Sequence, residues 1–250
     1  MDSFIKWIGG KRLLRKRILE EFPEEGSYDR YIEAFGGAGW VLFAKEKHAP
    51  LEVYNDMNGN LVNLFRCVKH HEKALEEELK WCLTSRELFH DALAQADTRG
   101  MTDLQRAARF YLMIKCSFGA KLTVFTGTRA VLEAHKIAAS LERAHERLQR
   151  IVIENRDFDK IIKVYDRDRA LFYLDPPYHQ TEKYYGMPFG EADHLRLKEA
   201  VKDIKGKFVL SYNDDDFIRE LYQEYQVIPV ERSNNMSPGN SFKELIIKNF

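Results

Sequence analysis

The chain has little that could cross-link it, anchor it in a membrane or bind a metal. Among 250 residues there are only three cysteines, Cys67, Cys82 and Cys116. None stands at C-x-x-C spacing, which excludes a zinc or redox motif and leaves reduced, structural thiols in a cytoplasmic protein. No apolar run approaches the roughly 20 residues of a membrane-spanning helix, and the N-terminus has no signal-peptide pattern. The eight histidines show no ligand spacing, and His70-His71 falls in a charged helical stretch, so no metal is expected. There is no internal repeat and no low-complexity segment. There is no net charge either, because 39 Lys and Arg balance 39 Asp and Glu. That balance is a poor global signature for nucleic-acid binding, but the charges are unevenly spread. Lys6, Lys11, Arg12, Arg15, Lys16 and Arg17 cluster near the start. Arg106, Arg109, Lys115, Lys121, Arg129, Lys136, Arg143, Arg147 and Arg150 dominate the middle. Basic stripes on a neutral protein can track phosphates; ordinary solvated helix faces would look the same.

What is present is 44% apolar residues, enough to bury a sizeable core as one domain or one with an insert. Strands are predicted near 30–34, 51–55, 151–154, 170–174, 207–212, 225–231 and 244–249. Helices are predicted near 11–21, 40–48, 191–204 and 214–223. Their alternation implies an α/β fold with a largely parallel sheet covered on both faces. The polar stretch from Ser233 to Asn240 suits an antiparallel hairpin between the last two strands. Between 58 and 150 the pattern turns helical, with no strand of comparable quality. This divides the chain into a core of 1–57 and 151–250 and an inserted helical subdomain of 58–150. Within the insert, Gly119 to Arg129 reads as an exposed loop rich in glycine, threonine and basic residues, the kind of segment that carries base contacts.

The sharpest local feature follows the apolar run Ala170-Leu171-Phe172-Tyr173-Leu174. Asp175-Pro176-Pro177-Tyr178 must end that strand, since neither proline has an N–H for the ladder. A carboxylate, a free carbonyl and an aromatic ring are thus presented together at a strand end. The set suits a flat base with an exocyclic amine: the amine donates two hydrogen bonds and the ring offers a stacking face. Taken alone, it is equally a strand-terminating turn with a surface tyrosine.

Upstream, Tyr31-Ile32-Glu33-Ala34 runs into Phe35-Gly36-Gly37-Ala38-Gly39-Trp40. Glycines there permit a tight turn and close approach of a ligand to the backbone. The next strand ends at Asn55-Asp56, where an acid about 20 residues after the glycines can bind ribose hydroxyls. Asp56 could instead cap the helix that follows. A dinucleotide fingerprint needs a third small residue, and here Gly39 is followed by Trp40, Val41 and Leu42. A nucleoside ligand without pyrophosphate, such as S-adenosylmethionine, fits better than a nicotinamide dinucleotide.

The ordered set resembles the N6-adenine DNA methyltransferases of the Dam/DpnM type (D12 class, alpha group). It covers nearly the whole chain. Lys6-Trp7-Ile8-Gly9-Gly10-Lys11 resembles that family's opening motif, and Phe35-Gly36-Gly37-Ala38-Gly39 its donor loop, with Ala34 where the family usually has proline. Asn155-Arg156-Asp157-Phe158 is similar to the motif that holds the donor's adenine. Phe208 to Asn213 and Lys243 to Ile247 resemble its late strands. Cys116 to Lys121 matches its base-reading region loosely. The resemblance implies a Rossmann-like class I methyltransferase sheet, mostly parallel with an antiparallel last strand, and a helical target-recognition insert. It implies S-adenosylmethionine bound by Trp7, Lys11, Phe35, Gly36, Gly37, Gly39, Asp56, Asp157, Phe158 and Asp175, without a metal. It assigns catalysis to Asp175, Pro176 and Tyr178, acting on an adenine that must be flipped out of double-stranded DNA. DNA contacts are expected from Lys121 and Arg129, on the strength of the basic excess over 100–150 and the glycine- and threonine-rich loop that holds them. The expected assembly is a monomer or weak dimer, with a cognate restriction endonuclease as a further partner. An RNA adenine-N6 methyltransferase and a catalytically inactive DNA-binding relative share many of these features. A protein-glutamine methyltransferase would carry asparagine at position 175.

Overall fold

Strand β4, Ala170–Leu174, is buried along its whole length, as a continuous apolar run in a doubly covered sheet should be. Beside it lies β1, Arg30–Glu33, in parallel register with Tyr31 opposite Leu171. The computed structural model describes residues 1–95, 100–117, 122–126, 133–182, 189–233 and 241–250. Seven strands form one sheet in the order β3-β2-β1-β4-β5-β7-β6. The others are β2 (Leu51–Asn55), β3 (Ile151–Glu154), β5 (Lys207–Asn213), β6 (Gln226–Ser233) and β7 (Ser241–Lys248). The pairs from β3 through β5 are parallel, and β7 runs antiparallel to both β5 and β6. This is the predicted Rossmann-like arrangement with its antiparallel last strand. The predicted hairpin joins the last two strands, but its connecting residues 234–240 lie outside the described residues.

Helices cover both faces. On one face, α1 (Arg15–Glu20), α2 (Gly59–His70), α3 (Glu72–Lys80), α5 (Asp103–Cys116) and α6 (Ala134–Leu148) share a core with Tyr31, Tyr54, Tyr173 and Ile246 of the sheet. Helix α4 (Arg86–Ala94) packs Phe89 and Ala92 against Leu112 and Met113 of α5 in a smaller cluster. The other face is covered by α7 (Phe158–Tyr165), α8 (Glu191–Lys202) and α9 (Asp216–Leu221), through Ile161, Leu197, Val201 and Ile218. Between β2 and β3 the described residues add no strand to the sheet, only one bridge between Ser117 and Phe125. The helices of this stretch other than α4 nonetheless share the main core with β1, β2 and β4. A buried ion pair fastens α6 to the sheet. Arg147 reaches Glu52 of β2 at 2.6 Å, with both partners almost inaccessible to water.

The predicted helix at 40–48 is a correction. Only a single 3-10 turn forms there, Leu42–Ala44, and Lys45 is already extended. Two causes combine. Pro50 disfavours helical backbone just before it. Arg147 also donates to the carbonyls of Leu42 and Lys45 at 3.0 and 2.9 Å, taking acceptors that a continuing helix would use. The predicted helix 11–21 begins only at Arg15. Helix α7, not among the predicted helices, starts where the Asp157 carboxylate accepts from the Asp159 N–H, an N-terminal cap that satisfies an otherwise orphaned donor.

Candidate active site

In this sheet the chain reverses its direction of growth at β1. It moves outward to β2 and β3 on one side, then returns to β4 and β5 on the other. Connections leaving β1 and β4 therefore diverge, opening a crevice beyond their C-terminal ends where α/β sheets bind ligands. The glycine turn leaves β1 and the Asp175-Pro176-Pro177-Tyr178 turn leaves β4, so topology brings the two motifs together.

The glycine turn is specified by contact as well as by backbone freedom. A Cβ on Gly36 would lie 2.2 Å from the Tyr54 ring. Gly37 and Gly39 have φ of +50° and +66°, a left-handed backbone that favours glycine. The Tyr54 hydroxyl donates to the Gly37 carbonyl at 2.7 Å, and the Gly37 N–H donates to Asp56 at 2.8 Å. Asp56 also accepts from the Asn58 N–H at 2.8 Å. It does not cap α2; Asn58 does, accepting from the Leu61 N–H at 3.0 Å. Burial pushes the Asp56 carboxyl above its usual range, against the stabilising amides of Asn58, Gly37 and Met57. Ala34, which stands in place of the family's usual proline, donates its N–H to the Tyr173 carbonyl at 3.3 Å, a bond proline could not make.

Asn55 ties these pieces to the 155–158 stretch. Its amide donates to the carbonyls of Ala34 and Arg156 at 2.8 and 2.9 Å, and its oxygen accepts from the Arg156 N–H at 2.9 Å. Phe158 follows, its ring 5.4 Å from Phe35 and 6.2 Å from Phe189. The Arg196 guanidinium covers Phe158 at 4.8 Å and pairs with Asp157 at 2.9 Å and Asp193 at 2.6 Å. The result is an aromatic wall with a fixed carboxylate at its edge.

Asp175 faces Lys11 across the crevice at 2.7 Å, and Lys11 is 5% exposed. The Lys11 ammonium also donates to the Gly9 carbonyl at 2.8 Å and lies 4.6 Å from the centre of the Tyr178 ring. The Tyr178 hydroxyl donates to Glu244, a buried carboxylate of β7. Burial, and then the negative charges of Glu244 and Asp175, push the phenol well above its usual range, so it stays neutral.

A cavity of about 390 Å³ opens beside the Lys11–Asp175 pair, a size typical of small-molecule sites. Trp7, Lys11, Phe35, Gly36, Gly37, Asp56, Asp157, Phe158 and Asp175 all line it. These are the predicted donor residues except Gly39, which supports the turn from behind with Phe43 3.2 Å from where its Cβ would be. Pro177 lines the cavity; Pro176, which is buried, and Tyr178 do not. Lys121 and Arg129 lie outside the described residues. The sequence reading missed Glu33, Phe189 and Arg196, which also line the cavity. Arg196 had one signal, the Asp193-Arg196 spacing of an i,i+3 pair. Glu33 had none, since an acid inside an apolar strand can equally be paired or exposed. Among the described residues no cluster suited to a metal ion is found, and no helix is long and apolar enough to cross a membrane.

A family model described as D12 class N6 adenine-specific DNA methyltransferase matches residues 7–236. The chain is 30% identical over 278 residues to type II methyltransferase M1.LlaDCHI of Lactococcus lactis subsp. cremoris, covering 100% of this chain and 96% of that protein. It is 26% identical over 267 residues to type II methyltransferase M.CviBI of Paramecium bursaria Chlorella virus NC1A, covering 100% of both. It is 26% identical over 269 residues to a DNA adenine methylase of Haemophilus influenzae, covering 97% of this chain and 92% of that protein.

Proposed function

Because the chain belongs to the D12 class N6 adenine-specific DNA methyltransferase family, we propose that it takes the methyl group from S-adenosylmethionine and delivers it to a flipped adenine of double-stranded DNA. One observation carries the reading. Residues from 7 to 196, separated along the chain, converge on one cavity whose rim holds the Lys11–Asp175 pair.

The residues present fit the donor. Gly36 and Gly37 line the cavity with bare backbone, and a Cβ on Gly37 would crowd the Trp7 ring at 3.2 Å. Asp56 is half-buried and anchored by amides, and suits ribose hydroxyls. Phe35, Phe158 and Phe189 suit a flat adenine, with Asp157 held at the edge by Arg196. The bound donor supplies a methyl group activated on a sulfonium.

The chain's own contribution is positioning and electrostatics. Asp175 and the Pro176 carbonyl accept hydrogen bonds from the adenine amine and turn its lone pair toward the methyl group. Asp175 carries a negative charge next to the developing positive amine. Lys11 holds that carboxylate in place. Tyr178, fixed at its hydroxyl by Glu244, offers a rigid ring to the base. An adenine within a duplex cannot reach a crevice of this kind and must leave the stack. We further assign target recognition to residues 58–150, including Lys121 and Arg129.

Incubation with donor carrying a labelled methyl group tests the reading. Label on N6 of adenine in duplex DNA, absent from RNA of the same sequence, supports it. Label on RNA alone, or transfer that survives Asp175→Ala, overturns it.

A further inference from the structure

His194 is completely buried, and none of the roles above uses it. It lies on α8 and makes two strong contacts. Its Nδ1 is 2.6 Å from the Tyr212 hydroxyl of β5, and its Nε2 is 3.0 Å from Glu182. A carboxylate only accepts, so Nε2 carries the hydrogen and Nδ1 accepts from the tyrosine. Burial, the largest influence, holds the ring below its usual pKa and so neutral, against the pull of Glu182.

Both partners lead back to the reacting turn. Tyr212 packs its ring 6.1 Å from that of Tyr178. Glu182 also accepts from the Gln180 N–H at 3.0 Å. Gln180 has φ of +67°, a left-handed conformation unfavourable for a non-glycine residue that persists only where neighbours impose it. The turn is closed by the Thr181 N–H donating to the Tyr178 carbonyl at 3.0 Å. A parallel tie holds His179, whose Nδ1 is 2.9 Å from Asp215 and whose carbonyl accepts from Asn213 at 3.2 Å. On its other side the His194 ring meets Phe189 edge-on at 4.9 Å, and Phe189 lines the donor cavity.

One buried imidazole therefore touches both the strained turn after Tyr178 and the aromatic wall of the donor cavity. We propose that His194 is a positioning residue that, through Glu182 and Tyr212, fixes the Asp175-Pro176-Pro177-Tyr178 turn in its reactive shape. It acts on the target-base side, not by holding the donor. This rests on the function proposed above.

Glu182 offers the cleaner test, because it is partly exposed and touches the turn but not the cavity lining. Displacing a catalytic group by about 1 Å can cost up to 100-fold in rate. Glu182→Ala should accordingly lower kcat by about 10- to 100-fold, with donor Kd within about twofold by calorimetry. Glu182→Gln retains an acceptor oxygen for His194 and Gln180, and should recover most of that loss. His194→Gln, which loses the Tyr212 contact, should resemble Glu182→Ala in kcat; if it does not fold, the Glu182 pair decides. Parental kcat in Glu182→Ala, a loss carried entirely by donor Kd, or no recovery in Glu182→Gln overturns the assignment. A parent enzyme that methylates no DNA would refute the proposed function instead, which keeps the two failures distinct.

Discussion

Replacing Glu33 by glutamine should change how stability depends on pH. Glu33 is 1% exposed and lies at the inner wall of the cavity. Its carboxyl accepts from the Tyr31 hydroxyl at 2.7 Å. Burial dominates, and with Asp175 nearby it lifts the pKa from 4.5 to about 8, against the pull of Tyr31, Leu42 and Arg147. Between those values the unfolded chain has released the proton and the folded chain has kept it. The folded state binds more protons, so stability falls as pH rises. The contribution is fully present below 4.5 and lost by about 8. At ~1.4 kcal/mol per pH unit, the whole span corresponds to on the order of 5 kcal/mol. Glu33→Gln cannot titrate. An amide meeting the same partners adds a roughly constant offset of about 1–3 kcal/mol, so the slope is the quantity to measure. Urea unfolding of parent and variant from about pH 5 to about pH 8 should show the variant gaining ~1.4 kcal/mol per unit relative to the parent. Asp56, also raised, titrates in both proteins and cancels in the difference. Parallel curves would show that Glu33 ionises in the fold as it does in water, and the argument would fail.

Asp175→Asn keeps the shape of the turn but removes the charge paired with Lys11. Single-turnover transfer should fall by about 10²-fold or more with the unfolding transition retained, and a parental rate would dismiss this carboxylate. Asp56→Ala should weaken donor binding by about 1–3 kcal/mol, read by calorimetry, since it removes the acceptor of the Gly37 N–H as well as the proposed ribose ligand. Arg147→Met leaves Glu52 buried and uncompensated, which should cost about 3–5 kcal/mol of stability in denaturant titrations. Lys121→Ala and Arg129→Ala separate two kinds of contact. Loss of a phosphate contact lowers the salt slope by about one, while loss of a base contact relaxes one target position by about 1–3 kcal/mol. Sequencing of methylated sites, with binding measured across salt concentrations, distinguishes these from no effect.

Much of the architecture could be read locally. Ala170–Leu174 is apolar throughout because both faces of β4 are covered, and Pro176 and Pro177 end it by their chemistry alone. The glycines after β1 announced a tight turn, which the structure makes with left-handed backbone at Gly37 and Gly39. The stretch 40–48 misled because its helical pattern is real but its carbonyls are claimed by Arg147, about 100 residues away in sequence. Asp56 left two roles open, and the hydrogen bonds of Asp56 and Asn58 assign the cap to Asn58.

The sequence by itself determined where strands stop, which turns need glycine, and that a carboxylate stands at the end of β4. These are properties of neighbouring residues and of backbone geometry that a few positions can encode. Only the tertiary structure decided that Lys11 meets Asp175, that Glu33 is buried beside the cavity, that Asn55 ties three segments together, and that His194 reaches Glu182 and Tyr212. Those pairings depend on β1 and β4 lying side by side and on helices crossing the sheet from both faces. Charge, burial and hydrogen-bond partner are then set by residues far away in the chain, and no local pattern carries that information.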